Sequence, residues 1–466
     1  MLQDTIVAIA TAAGKGAVGI VRVSGPATRS IMLEVCGRAL IAQRATHLAF
    51  LDGRGNPIDD GLAIFFSGPN SYTGEDVLEL QGHGGIGVLS AVLNRCLSVQ
   101  PEAGRPIGRI RLAEPGEFTR RAFLNDKLDL AQAEAVADLI NAGSERAAQS
   151  ALASLRGAFS QAVEGLQQRL IDLRVRVEAC LDFPEEDLEF IEREGVAQRL
   201  LEIQAGLKET LLAAQQGAAL RDGLRVVLVG APNVGKSSLL NALSGEEVAL
   251  VTEIAGTTRD RIVQEIVLQG LVIHMVDTAG LRQTRDAVEQ LGIARTWQEV
   301  EQAQAVLLMR DASGEIAVDR ELEARVLGRV PAMCQVIEVN NKTDLLPAKR
   351  AAPPLILETN AAVKGSVMIS SKTGQGLDQL RAMLIEVAGL SEQPAVGVFS
   401  ARTRHLRALL QAQAALLVAE SNLHQQQLEL LAECLGRAQG HLAEITGEFS
   451  ADDLLGEIFG SFCIGK

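Results

Sequence analysis

Over roughly the first 125 residues, short apolar runs alternate with Gly/Pro turns. Thr5–Ala10, Gly19–Val23, Gly61–Phe66 and Val77–Gln81 have the length and composition of strands, and Ile86–Leu97 has the spacing of a helix. This pattern predicts a small α+β domain over residues 1–125. From 126 the period changes to 3.6: Leu166, Leu170, Leu173 and Val177 share one helix face, as do Leu200, Ile203, Leu207 and Leu211. Between these two faces, Pro184 and the acidic cluster of Asp182–Asp187 interrupt the helix.

Residues 223–385 change character again. Leu224–Val229, Ile262–Leu268, Leu271–Val276, Ala305–Met309, Gln335–Val339 and Val367–Ser370 read as strands separated by helical stretches, an α/β pattern. Beyond 386 the helical period returns, with Leu406, Leu410 and Leu417 on one face. The expected fold class is therefore multidomain, α/β and α. A helical domain in two halves, 126–222 and 386–466, is interrupted by an inserted α/β domain at 223–385. Such insertion is tolerated because domain termini often lie close together.

Composition narrows the partners. With 466 residues a single core is too small, and 47% hydrophobic against 22% charged residues is ordinary for a globular protein. Aromatics are only 3%, so Leu, Val, Ile and Ala must build the cores. The net charge of −14 repels nucleic acid as a whole, so an RNA partner requires local basic patches or a second protein. Residues 103–128, with six basic and three acidic side chains, are a weak candidate. Six cysteines without CxxC pairing read as reduced thiols in a cytoplasmic protein. No secretory leader is expected, and no apolar run reaches membrane-spanning length, so no membrane partner is expected.

The chemistry concentrates in the inserted domain. Gly230-Ala231-Pro232-Asn233-Val234-Gly235-Lys236-Ser237 fits GxxxxGK[ST], between a strand and the helix expected at Ser238–Leu243. Glycines let backbone N–H groups converge on phosphate oxygens, and the helix N-terminus adds positive potential. Lys236 is expected on the β- and γ-phosphates and Ser237 on Mg²⁺. Asp277-Thr278-Ala279-Gly280 follows at a strand end, with Asp277 on the metal's water shell and Gly280 sensing the γ-phosphate. Asn341-Lys342-Thr343-Asp344 ends another strand; the Asp344 carboxylate can accept both N–H donors of a guanine edge, which adenine lacks. Ser370-Ser371-Lys372 ends the last strand and can close over the base. Thr258, in Gly256-Thr257-Thr258-Arg259-Asp260, is a candidate second Mg²⁺ ligand. Leu281 occupies the place where Ras-like enzymes carry a water-orienting Gln, and Glu289, twelve residues past Asp277, is a carboxylate within reach.

Three further blocks are specific: Gly19–Pro26 with Asn70–Asp76 and Glu79–Gly85; Pro115–Thr119 through Arg121–Lys127; and Phe462-Cys463-Ile464-Gly465-Lys466 at the C-terminal end. With these the chain resembles the tRNA-modification GTPase MnmE (TrmE) family over essentially its whole length. The resemblance implies an N-terminal tetrahydrofolate-binding and dimerisation domain, a discontinuous helical domain and an inserted Ras-like P-loop G domain. It implies a homodimer whose G domains pair when K⁺ is bound, with Asn233, Thr252, Ile254 and Thr257 completing the K⁺ shell. Glu289 maps to the family's catalytic glutamate, and Ser238 falls in its nucleotide site beside Ser237. An FAD-dependent partner, MnmG (GidA), is implied, acting with the chain to install a carboxymethylaminomethyl-type group on C5 of wobble uridine in tRNA. A 5-formyl or methylene tetrahydrofolate derivative is the implied one-carbon donor, contacted by Arg22, Glu79, Lys127 and Lys466. Cys463 is implied to lie near the folate as a candidate reactive thiol; otherwise it reads as a packed cysteine, since Gly465 and Lys466 do not fit a prenylation signal. Two other readings stand beside this one: an RNA-chaperone or ribosome-assembly GTPase of the Era/Der type, and a folate-dependent one-carbon transferase with a regulatory G domain.

Overall fold

The computed structural model describes residues 4–100, 108–182, 195–244, 263–277, 296–331, 334–346, 363–390, 398–447, 458–460, 462 and 465. The chain falls into two compact units, residues 1–137 with 436–466, and residues 138–435.

The first unit is built on a six-stranded sheet. Its strands are β1 (Thr5–Ile9), β2 (Val18–Ser24), β3 (Thr46–Leu51), β4 (Pro57–Phe66), β5 (Val77–His83) and β6 (Ile110–Leu112), in the order β3-β4-β5-β2-β1-β6. Only the β1–β6 pair is parallel. The period-2 alternation decides which side each residue serves. Val7, Val21, Val23, Leu78 and Leu80 pack under the helices α1 (Thr28–Cys36) and α2 (Ile86–Ser98). Ile6 and Ala8 turn to the opposite face, against Phe118 of α3 (Glu117–Leu124). The C-terminal segment belongs to this unit: Ile458, Phe459 and Phe462 pack on Leu130 and Ala133 of α4 (Leu130–Ile140). The elements α1, β3, α3 and β6 go beyond the strands and helix expected from the pattern.

The second unit joins helices to a second sheet. The helix α5 (Glu145–Leu155) starts at Ser144, whose hydroxyl caps Ala147 N at 3.1 Å. The helices α6 (Ala158–Asp182) and α7 (Val196–Asp222) bury the two faces read from the sequence; Leu166, Leu170, Leu173, Leu200 and Leu207 are almost fully shielded. Burying each such leucine contributes roughly 2 kcal/mol. Asp182 ends α6; the rest of the expected interruption lies outside the described residues.

The second sheet comprises β7 (Leu224–Val229), β8 (Val263–Leu268), β9 (Leu271–Asp277), β10 (Ala305–Asp311), β11 (Gln335–Asn341) and β12 (Val363–Met368). The order is β12-β11-β10-β7-β9-β8, parallel except for the β8–β9 hairpin. Both faces are covered, so β7 is continuously apolar and buried from Val226 to Val229. Val226 and Leu228 join the core under α8 (Lys236–Ser244), and Val227 and Val229 join the one formed with Trp297 and Val326 of α9 (Arg320–Leu327). The helix α10 (Leu377–Val387) adds Leu380 and Leu384 to the first of these cores. After β7 the chain builds outward first on one side and then on the other. The crevice beyond the C-terminal ends of β7 and β10 is thus the topological switch point where such sheets bind ligands.

Two expectations are corrected. The last strand, expected at Val367–Ser370, runs Val363–Met368, because its parallel ladder with β11 begins at Val336↔Val363 and Ser370 is already in the following turn. In α11 (Thr403–His424) the expected apolar face is not the packed one. Leu410 and Leu417 are 48% and 60% exposed, whereas Leu409, Ala412, Leu416 and Ala419 are buried. Small alanines allow close approach to α7, where Gln204 donates to Leu416 O and to Glu420. The last helix, α12, spans Leu428–Thr446.

Candidate nucleotide site and the N-terminal cluster

The phosphate loop leaves the C-terminal end of β7 and enters α8. Asn233 at φ +62° and Gly235 at φ +103° both take left-handed backbone, which turns the chain tightly enough for its amides to converge. Gly235 is required for a second reason: a Cβ there would overlap Asn341 Nδ2. Lys236 is buried, its ammonium held by Gly230 O at 2.8 Å and Ala231 O at 3.2 Å. Ser237 and Ser238, in the first turn of α8, are exposed. Asp277 ends β9 in register with Leu228, two residues before the loop. The N-terminus of α8 suits phosphate, and the oxygens of Ser237 and Asp277 are of the kind a hard divalent cation prefers.

The base loop is assembled from β11 and the turn after β12. Asn341 is buried; its Nδ2 donates to Val234 O at 3.0 Å, and its Oδ1 accepts from Ser371 N and Ser371 Oγ, each at 3.0 Å. Ser370, fully buried, donates to Asp344 Oδ1 at 2.7 Å, and Thr343 N bonds Ile369 O at 3.1 Å. The exposed Asp344 carboxylate is thereby oriented before any ligand arrives. Lys342 stands at φ +67° with its ammonium 2.9 Å from Asp311 Oδ2. Lys372 is exposed. Asp311 was not among the residues singled out in the sequence; its only signal there is its place at a strand end of an α/β sheet.

In the N-terminal unit, Arg22 of β2 and Glu79 of β5 are cross-strand partners, with Arg22 Nε donating to Glu79 Oε1 at 3.0 Å. Arg22 Nη1 also donates to Gly465 O at 3.3 Å, and its guanidinium lies 5.8 Å from the Tyr72 ring and 5.7 Å from that of Phe118. Gly465 takes φ +99° and leaves no room for a Cβ beside Ile9, so the tail closes against β1. Lys127 is exposed on the wall of a separate cavity of about 520 Å³, with Pro26, Gly74 and Asp76; neither Arg22 nor Glu79 lines it.

Two of the basic residues of the run at 103–128 are neutralised within the unit, while Arg109, Arg120 and Lys127 are exposed. Arg121 pairs with Glu75 and Glu117 at 3.1 and 2.9 Å, and Arg111 with Asp4 and Glu117 at 2.9 and 2.7 Å. Burial alone would raise the Glu117 carboxyl, but the two arginines and Glu114 N outweigh it and hold it below the usual glutamate range. Ser24 Oγ ties this network to Glu75 at 2.6 Å. The sequence blocks around residues 24, 75 and 117–121 therefore lock strand, loop and helix together.

Thr252, Ile254, Thr257, Thr258, Gly280, Leu281, Glu289, Cys463 and Lys466 lie outside the described residues. The described cysteines, Cys36, Cys96, Cys180, Cys334 and Cys434, are free and buried. Burial pushes the Cys36 and Cys96 thiols up to about 12 and Cys334 to about 11, which leaves them poor nucleophiles. Among the described residues no helix is long and apolar enough to cross a membrane.

Comparison with known proteins agrees over the whole chain. Residues 5–127 match the family model described as GTP-binding protein TrmE N-terminus, and residues 130–463 that described as MnmE helical domain. The chain is 52% identical over 480 residues to the tRNA modification GTPase MnmE of Polaromonas naphthalenivorans, covering 99% of this chain and 98% of that one. It is 51% identical over 477 residues to the tRNA modification GTPase MnmE of Cupriavidus metallidurans, covering 100% and 99%. Likeness to the solved structure of Aquifex aeolicus Era bound to GDP and AlF4⁻ is low, with a TM-score of 0.27 at 27% identity over 41% of this chain and 66% of that one; it adds nothing to the assignment. A phosphate loop, a base loop preset by Asn341 and Ser370, and two family models that together span nearly all of the sequence lead to one conclusion: the chain belongs to the tRNA modification GTPase MnmE family.

Proposed function

We propose that the chain hydrolyses GTP at the loop Gly230–Ser237 and couples this to modification of tRNA in the cytoplasm. The observation that carries the reading is the Asn341 carboxamide, which ties the phosphate loop to the base loop at 3.0 Å on each side. Lys236 binds the β- and γ-phosphate oxygens once it exchanges the loop carbonyls for them. Asp344 accepts the guanine edge and Ser370, Ser371 and Lys372 close over the base. Ser237 and Thr258 would hold Mg²⁺, with Asp277 on its water shell; bound there, Mg²⁺ neutralises phosphate charge. Asn233, exposed and left-handed, would hold K⁺ with Thr252, Ile254 and Thr257. Glu289 orients the attacking water, a task the apolar Leu281 cannot perform.

The finer reading follows the family. The chain works as a homodimer whose G domains meet across the nucleotides. With the FAD-dependent partner MnmG it adds a carboxymethylaminomethyl-type group at C5 of wobble uridine. Arg22 and Glu79, joined beside Gly465, fit a ligand with a donor-rich edge and an anionic tail, as a tetrahydrofolate derivative has. Lys466 and Cys463 are proposed to complete that site, whereas Lys127 stands on a separate cavity wall and is not part of it. Mass analysis of wobble nucleosides from a deletion strain tests the reading. Loss of the C5 group supports it. Unchanged nucleosides would favour the ribosome-assembly alternative.

A further inference from the structure

We propose that Asp311 is a positioning residue for Lys342, and that it sets the affinity of the site for guanine nucleotides through that lysine. This rests on the nucleotide reading above. Asp311 closes β10, and its side chain has no exposed surface, whereas that of Lys342 is 25% exposed. Both carboxylate oxygens are committed. Oδ2 accepts from Lys342 Nζ at 2.9 Å; Oδ1 accepts from Ser313 N at 2.9 Å and Ser313 Oγ at 2.6 Å. A carboxylate held at both oxygens has one orientation, so it fixes where the ammonium can be.

The backbone points the same way. Asp311 is the register partner of Asn341, the residue just before Lys342, and Ala312 N donates to Asn341 O at 2.8 Å. Lys342 itself sits at φ +67° and ψ 36°, a conformation that a residue with a Cβ keeps only where its surroundings over-determine it. Burial alone would raise the Asp311 carboxyl, but the Ser313 and Lys342 bonds outweigh it and hold it ionised, below the ordinary aspartate range. Lys342 stands between Asn341, which joins the two loops, and Asp344, which reads the base. A lysine pinned at its far end presents its stem already ordered, and binding then has no rotamer freedom to remove from it. Preordering one rotamer-rich side chain is worth about two- to tenfold in affinity.

The test is a double-mutant cycle on the full chain, titrated with GTP and with a fluorescent GDP analogue. Asp311→Asn should weaken both nucleotides by about fivefold to tenfold, with the loss in KM rather than kcat. In a Lys342→Met background the same substitution should add nothing. Unchanged affinity of Asp311→Asn overturns the proposal, and so does an equal loss in both backgrounds, which marks a structural role. If Asp311→Asn folds poorly, Lys342→Met reads the contact from its other end; a Lys342→Met chain with wild-type affinity overturns the proposal by itself. A wild-type chain that binds neither nucleotide fails earlier, at the nucleotide reading.

Discussion

Asn341 reaches the carbonyl of Val234 with its amide nitrogen and the backbone and hydroxyl of Ser371 with its amide oxygen, all at 3.0 Å. One buried side chain therefore sets the distance between the loop that takes phosphate and the loop that takes the base. Gly235 is the complement of this arrangement, since only a residue without a Cβ fits beside that carboxamide.

The base loop predicts a change of specificity. Asp344→Asn replaces an acceptor facing the guanine amino and imino groups by a donor, so GTP affinity should fall by about 10²-fold or more. Xanthosine triphosphate, which carries an oxygen where guanine has the amino group, should gain relative to GTP. Competition binding measures both; an unchanged preference for GTP would remove Asp344 from the site.

GTP turnover should be faster in KCl than in NaCl by about tenfold or more, because a cation at Asn233 offsets charge developing on the phosphates. Asn233→Ala should erase most of the difference. Equal rates in the two salts, or full stimulation of the variant, would refute the K⁺ site.

Glu289→Ala should lower turnover by about 10²-fold while leaving GTP binding close to wild type, as expected for a group that acts on water alone. A parallel loss of binding would assign Glu289 a structural part instead.

Buried charge in the G domain predicts a pH effect on stability. Glu338 of β11 and Glu323 of α9 share Arg310 of β10, at 3.0 and 3.2 Å, all three buried. Burial pushes the Glu338 carboxyl up, Arg310 opposes this, and Glu323 adds to it. The folded chain therefore keeps this proton to a higher pH than the unfolded chain. Stability from this group is present below the ordinary glutamate value and is lost as pH rises to the raised one. Urea midpoints of wild type and Glu338→Gln between acid and neutral pH check the sign: the variant should gain on the wild type as pH rises. A constant gap would show that Glu338 does not titrate in that range.

Much of this was legible in the sequence because the signals are local. The strand Leu224–Val229 was placed to the residue, and Leu166, Leu170, Leu173 and Val177 are indeed one buried face. The phosphate loop follows from spacing alone. The packed side of α11 was not legible: alanines and leucines alternate around that helix, and the choice of Ala412 and Ala419 over Leu410 and Leu417 is made by α7, over 200 residues earlier. The pairing of Arg111 and Arg121 was hidden for a related reason, since their partners Asp4 and Glu75 are distant in sequence. Asp311 was invisible until the parallel register of β10 and β11 put it beside Lys342.

The tail contact at Gly465 has a consequence for how the chain is made. Arg22 and Ile9 emerge early in synthesis, yet the segment that covers them, with Ile458, Phe459 and Phe462 on Leu130, is made far later, Gly465 lying 443 residues beyond Arg22. Residues 1–137 leave the ribosome long before residues 436–466 can join them. The first unit to start folding is thus completed only after the second has been made, and a product of translation that stops before residue 436 carries an unfinished N-terminal unit.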